Sequence, residues 1–148
     1  MNPVTAIVLL LRLVLGALLI VAGLLKLRDP TAFATEIANY QLLPAGAAVL
    51  AAVLPSIEVV IGASLIALPR LWRRAAATAA LALFVMFTGA VASAYFRRIN
   101  IDCGCFGTGG GPISALTLLR NVTLTAGSLI LLRFDRAPAR PITPAVSG

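Results

Sequence analysis

Two thiols stand one residue apart in the stretch NIDCGCFG, residues 100–107, and Cys103 and Cys105 are the cysteines of the chain. That spacing admits three kinds of chemistry. A closed zinc site asks for four ligands from Cys, His or carboxylate, and this chain offers two Cys and no His. An iron–sulfur cluster asks for four thiolates and fails in the same way. Copper(I) accepts two soft thiolates and stays open as a metal clip. A disulfide between residues i and i+2 is tight, because its Cα atoms must approach within about 6.8 Å and departures from ideal geometry make the bond easier to reduce. Gly104 between the thiols lets the turn take unusual dihedrals. So small a loop adds little by chain entropy, and strained, accessible disulfides are the labile, electron-exchanging kind. Arg97 and Arg98 favour a thiolate nearby, while Asp102 opposes it. The spacing therefore points first to a redox pair, with a copper(I) clip or incidental small residues in a turn as the alternatives.

The elements that must position this pair are apolar. Of the 148 residues 60% are hydrophobic and 11% charged, with a mean hydropathy of +1.01, against about 45–50% and about 25% in soluble domains. Such a chain cannot furnish a water-facing surface and reads as a polytopic membrane protein. Four apolar runs, residues 4–25, 45–68, 75–96 and 114–132, each approach the ~20 residues that cross ~30 Å of hydrocarbon as helix. Backbone groups in lipid must be satisfied within the segment, and no barrel-like alternation is present. The expected fold is an all-α bundle of four transmembrane helices, one membrane domain over residues 1–136 with a disordered, proline-containing tail at 137–148. Met1-Asn2-Pro3 carries no Lys or Arg, and the first run exceeds the ~7–15 apolar residues of a cleaved leader, so it reads as a retained span.

Between spans one and two, KLRDPTAFATEIANYQLLP predicts a short interfacial helix. Asp29 is placed to cap it and Pro30 to open it. Phe33, Ile37 and Tyr40 then recur on one face, which serves either to close the loop or to cover a site.

The net charge of +7 belongs to the span flanks rather than to a nucleic-acid surface. Arg70, Arg73, Arg74, Arg133, Arg136 and Arg140 fall on one side of the membrane; Lys26, Arg28, Arg97 and Arg98 fall on the other. The positive-inside rule then puts both termini in the cytoplasm and the Cys-Gly-Cys loop outside it, where disulfides persist.

Three ionisable residues lie inside the spans, where charge is costly and marks function or pairing. Counted from the cytoplasmic ends, Arg12 lies about 12 Å deep and Glu58 about 15 Å deep. Antiparallel neighbours would pair them. Arg120, followed by Asn121, lies roughly 9 Å below the outer end of span four, on the side of the cysteines. Gly16, Gly23, Gly62 and Gly89 supply close-approach surfaces for a homodimer or a partner membrane complex.

Taken together, Arg12, AGLLKLRDPTAF, NYQLLP, LPSIEVVIG, DCGCFG and LLRN resemble the MauE branch of the DoxX-like membrane proteins, and the likeness runs from span one to span four. DCGCFG is its most specific part. The resemblance implies an inner-membrane protein tied to thiol redox, exchanging electrons with an extracytoplasmic thiol protein. By analogy with four-helix thiol oxidases it implies a membrane quinone as cofactor. Carried onto this chain, Cys103 and Cys105 are the catalytic pair. Arg120 and Asn121 become candidates to hold a quinone carbonyl or stabilise a thiolate, and Arg12 with Glu58 a buried polar pair. A non-catalytic membrane subunit or maturation factor of a partner complex is the alternative from a different class. Lipids are the remaining partner. Nothing in the residues themselves points to methylamine.

The orientation is open to a direct check. After mild reduction of intact cells, a membrane-impermeant maleimide is expected to label Cys103 or Cys105; labelling that requires an opened membrane would reverse the topology.

Overall fold

A computed structural model of the protein describes residues 3–101, 103 and 111–134. Cys105 and the 137–148 tail lie outside the described residues. In chain order the elements are α1 (Pro3–Arg28), α2 (Pro30–Asn39), a 3-10 turn (Pro44–Gly46), α3 (Ala47–Ala67), α4 (Arg70–Phe96) and α5 (Ala115–Phe134). Four of these helices, α1, α3, α4 and α5, are long and apolar enough to cross a membrane. The fold is the expected four-span bundle with a short helix between spans one and two. Leu10, Val60, Phe96 and Leu116 point outward and are exposed, the surface that hydrocarbon rather than water accommodates.

Two helix ends lie three or more residues beyond the hydropathy boundaries. α1 continues three residues past Leu25 to Arg28, because the next helix starts almost at once. Asp29 is its N-cap, with its carboxylate accepting from the Ala32 backbone N–H at 2.9 Å and from the Thr31 hydroxyl at 2.7 Å. These donors, the Ala32 N–H foremost, hold the exposed Asp29 carboxyl below the usual carboxylate range. Lys26 therefore belongs to the last turn of α1 rather than to a loop. At α4 the helix begins at Arg70, since the arginines ahead of the apolar run are good helix formers.

α1 and α3 make the most extensive pairing in the bundle. It is a close crossing, built on glycines seven residues apart and their partners. A Cβ on Gly16 would lie 2.9 Å from the Gly62 carbonyl oxygen, one on Gly62 2.6 Å from the Gly16 oxygen, and one on Gly23 2.6 Å from the Pro55 oxygen. Backbones touch there, and any side chain would push them apart. Three of the four glycines expected to present surfaces to other chains are thus used within this one, while a Cβ at Gly89 would meet nothing. α4 and α5 are joined by a hydroxyl contact, Thr88 to Thr125 at 2.8 Å, each hydroxyl also bonding to its own helix. The core between the helices holds Leu15, Leu19, Leu65, Phe84 and Leu131.

One end of the bundle is elaborated. α2 packs on α3 and buries Phe33. The α4–α5 connection is pinched by backbone bonds from Ile113 N–H to the Ile101 carbonyl (3.0 Å) and from Cys103 N–H to the Gly111 carbonyl (3.1 Å). Gln41 and Arg98, just past the ends of α2 and α4, both take left-handed φ values of 54° and 53°, a conformation that non-glycine residues adopt only under tertiary constraint.

The crossing makes a sharp prediction. Gly62→Val should destabilise the bundle by about 1–3 kcal/mol through overpacking. Gly89→Ala should be neutral or stabilising, within about 1 kcal/mol. Thermal unfolding in detergent reads both, and equal effects would remove the close crossing from the account.

Candidate functional site

Two helix ends and one loop converge on Cys103. α2 is capped at its C-terminus by Tyr40, whose phenol donates to the Cys103 carbonyl at 2.6 Å. α4 is capped at its C-terminus by Arg97, whose guanidinium donates to the Tyr40 carbonyl (3.0 Å) and to the Gln41 side-chain oxygen (3.2 Å). α5 contributes Arg120, whose Nη2 lies 3.7 Å from the Cys103 sulfur. Cys103 is only 3% exposed. A loop thiol is thus drawn inward, its backbone bound on both polar groups and a cation set against its sulfur, where negative charge is favoured.

Cys103 lines a partly open, largely apolar cavity of about 140 Å³ beneath α2. Phe33, Leu54, Phe87 and Val91 form much of its wall. The predicted stripe of α2, Phe33, Ile37 and Tyr40, faces this space. Lys26 lines it as well, and Lys26 carries a buried ion pair. Its Nζ lies 2.5 Å from Glu58 Oε1, with the two residues 1% and 0% exposed. The ammonium also sits over the rings of Phe87 (4.7 Å to the centroid) and Phe33 (5.2 Å), a cation–π cage that replaces part of its lost hydration.

Glu58 therefore has a different partner from the one expected. Depth counted from hydropathy boundaries matched Glu58 with Arg12. The glycine crossing sets another register, because Gly23 packs directly on Glu58. Arg12 lies eleven residues back along α1, about 16 Å away along the axis. Lys26, one turn past Gly23, is the cation within reach.

Arg120 and Asn121 also part company. Successive residues on a helix diverge by about 100°. Arg120 turns to Cys103, whereas Asn121 is buried, donates to the Thr117 carbonyl at 2.9 Å and lines a second space of about 20 Å³ shared with Lys26 and Glu58. That space is large enough for a single water. Among the described residues Glu58 Oε2 is buried without a hydrogen-bond partner, so the carboxylate keeps an acceptor in reserve. The structure thus unites Cys103 with Arg120 and leaves Asn121 and Arg12 elsewhere; Cys105 lies outside the described residues.

The chain matches the family model for methylamine utilisation protein MauE over residues 4–134. It belongs to the MauE family. The chain is 40% identical over 124 residues to the methylamine utilization protein MauE of Paracoccus denitrificans, covering 82% of this chain and 66% of that protein. It is 36% identical over 121 residues to the methylamine utilization protein MauE of Methylophilus methylotrophus, covering 79% and 63% respectively. This MauE-family chain spans just under two thirds of the length of these relatives. No solved structure matches it.

Lys26 and Tyr40 are the site residues that reading the sequence missed. By sequence Lys26 reads as a flanking charge and Tyr40 as part of an apolar stripe. A signal for Lys26 was present, since a cap at Asp29 lets α1 run to residue 28 and carries Lys26 inside it.

The ion pair predicts strong coupling. Lys26→Met or Glu58→Leu alone should cost about 3–5 kcal/mol, by stranding a charge, and the double variant should recover much of it. Arg12→Leu and Glu58→Leu should instead combine additively in thermal unfolding.

Proposed function

We propose that this MauE-family membrane protein is a thiol–disulfide redox protein. Cys103 and Cys105 exchange electrons with an extracytoplasmic thiol protein and pass them to an acceptor in the membrane. The observation that carries this reading is the Arg120 guanidinium set 3.7 Å from the Cys103 sulfur, which itself lines a partly open cavity. Low-potential stapling disulfides need no such furniture, whereas a reactive thiol needs a cation that favours its thiolate. Orientation is supported by the burial of Lys26. A lysine neutralised by Glu58 no longer counts as a flanking charge, and the six-to-four excess of basic residues becomes six to three, in favour of cytoplasmic termini.

A second reading has its own support. The relatives are named for methylamine utilisation, a pathway role without a stated reaction, which suits an accessory factor that helps a partner complex mature. The two readings share a site and differ in whether the thiols turn over.

Differential alkylation with mass spectrometry separates them. The isolated protein is expected to cycle between dithiol and disulfide, with a potential above the about −300 mV typical of structural disulfides. Arg120→Gln should lower that potential by destabilising the thiolate, and Cys103→Ser should abolish the two-thiol change while the melting temperature holds. Thiols that stay reduced in oxidising buffer would overturn the redox reading and leave the accessory one.

A further inference from the structure

The smaller space beside the ion pair is lined by polar side chains from three helices. Lys26 comes from α1, Glu58 from α3 and Asn121 from α5, and the rest of the wall is apolar, including Leu19, Phe84 and Leu124. Each of the three keeps bonding capacity that the described residues do not use. Glu58 Oε1 accepts from Lys26 Nζ, whereas Oε2 is buried without a hydrogen-bond partner. A buried carboxylate oxygen left without a donor is costly. The Lys26 ammonium has three N–H donors, one of which serves Glu58. Asn121 spends one amide N–H on the Thr117 carbonyl. That carbonyl can only accept, which fixes the orientation of the amide and leaves its second N–H for another partner.

These groups specify the molecule that fits among them. Oε2 asks for a donor, and the spare N–H groups of Lys26 and Asn121 ask for an acceptor. A cation would face the ammonium and an anion the carboxylate, so the occupant is neutral. An apolar chain would leave Oε2 unsatisfied. The occupant must therefore donate and accept at once. The space of about 20 Å³ exceeds the about 10–15 Å³ that one water requires.

We propose that an ordered water binds here, donating to Glu58 Oε2 and accepting from Asn121 and Lys26. Three bonds is the usual complement of a buried water. The bridge ties α5 to the ion pair of α1 and α3, beside the direct hydroxyl contact that joins α5 to α4. Asn121 thus holds the helix that carries Arg120 without taking part in any thiol chemistry. The site stands whether or not Cys103 turns over.

The full chain in detergent serves for both parts of the test. A crystal structure that resolves waters should place one within about 2.6–3.2 Å of Glu58 Oε2 and of the Asn121 amide nitrogen. No ordered water, a detergent or lipid chain in the space, or a direct bond between Glu58 and Asn121 each overturns the water site. In thermal unfolding, Asn121→Leu should lower the melting temperature by about 3 °C or more, because Oε2 loses its bridge. In a Lys26→Met, Glu58→Leu background that oxygen is gone, and the same change should cost little, a non-additivity of about 3 °C or more. Additive losses overturn the tie between α5 and the ion pair, even with a water in place. If Asn121→Leu does not fold, the position of the water in the parent protein decides alone.

Discussion

A carboxylate and an ammonium that have both left water must lie against each other, and in this bundle Lys26 and Glu58 do so with almost no exposure. An unpaired charge at that depth would cost several kcal/mol, so every element that touches the pair is held to a narrow set of positions. α1 and α3 can bring the two side chains together only because Gly16, Gly23 and Gly62 let their backbones touch. α2 and α4 complete the enclosure by laying Phe33 and Phe87 beside the ammonium. The small residues are what make the close approach, and the close approach is what makes the ion pair.

The same pair gives the elaborated end of the bundle its chemical character. One side of Lys26 opens on the cavity that Cys103 lines, and the other on the smaller space bounded by Glu58 and Asn121. Apolar packing alone would have filled both. A polar centre in the middle of four helices cannot be packed like leucine, since its donors and acceptors must be met in direction as well as in volume. Cavities next to it are a natural consequence, and here one of them reaches the only described thiol. Arg97, Tyr40 and Arg120 then work at the rim, tying α2, α4 and α5 to one short stretch of loop.

The setting of Cys103 in this MauE-family chain accordingly rests on long-range contacts rather than on a local motif. Cys103 is separated from Tyr40 by 63 residues and from Arg120 by 17. The Cys-Gly-Cys spacing is local, but what surrounds the Cys103 sulfur comes from three helices. The left-handed Gln41 and Arg98 fit this picture. Each sits where a helix must stop and turn its last side chains toward the loop, and that conformation is held by the contacts around it.

The amino-acid sequence by itself determined the four spans, the capped helix after Asp29 and the candidate status of Cys103 and Arg120. Each of these follows from short-range physics: apolar length against bilayer thickness, a carboxylate ahead of a proline, a cysteine pair in a polar break. Glu58 was legible as a buried charge that must have a partner, because depth in a span needs no knowledge of neighbours. Which partner it took was not legible. Pairing across two helices depends on their register, and register was decided by the glycine-to-backbone contacts of α1 and α3, which leave no periodic trace in hydropathy. The cavity was equally hidden, being a space between α2, α3 and α4 that exists only once Lys26, Phe33 and Phe87 have been brought to one place.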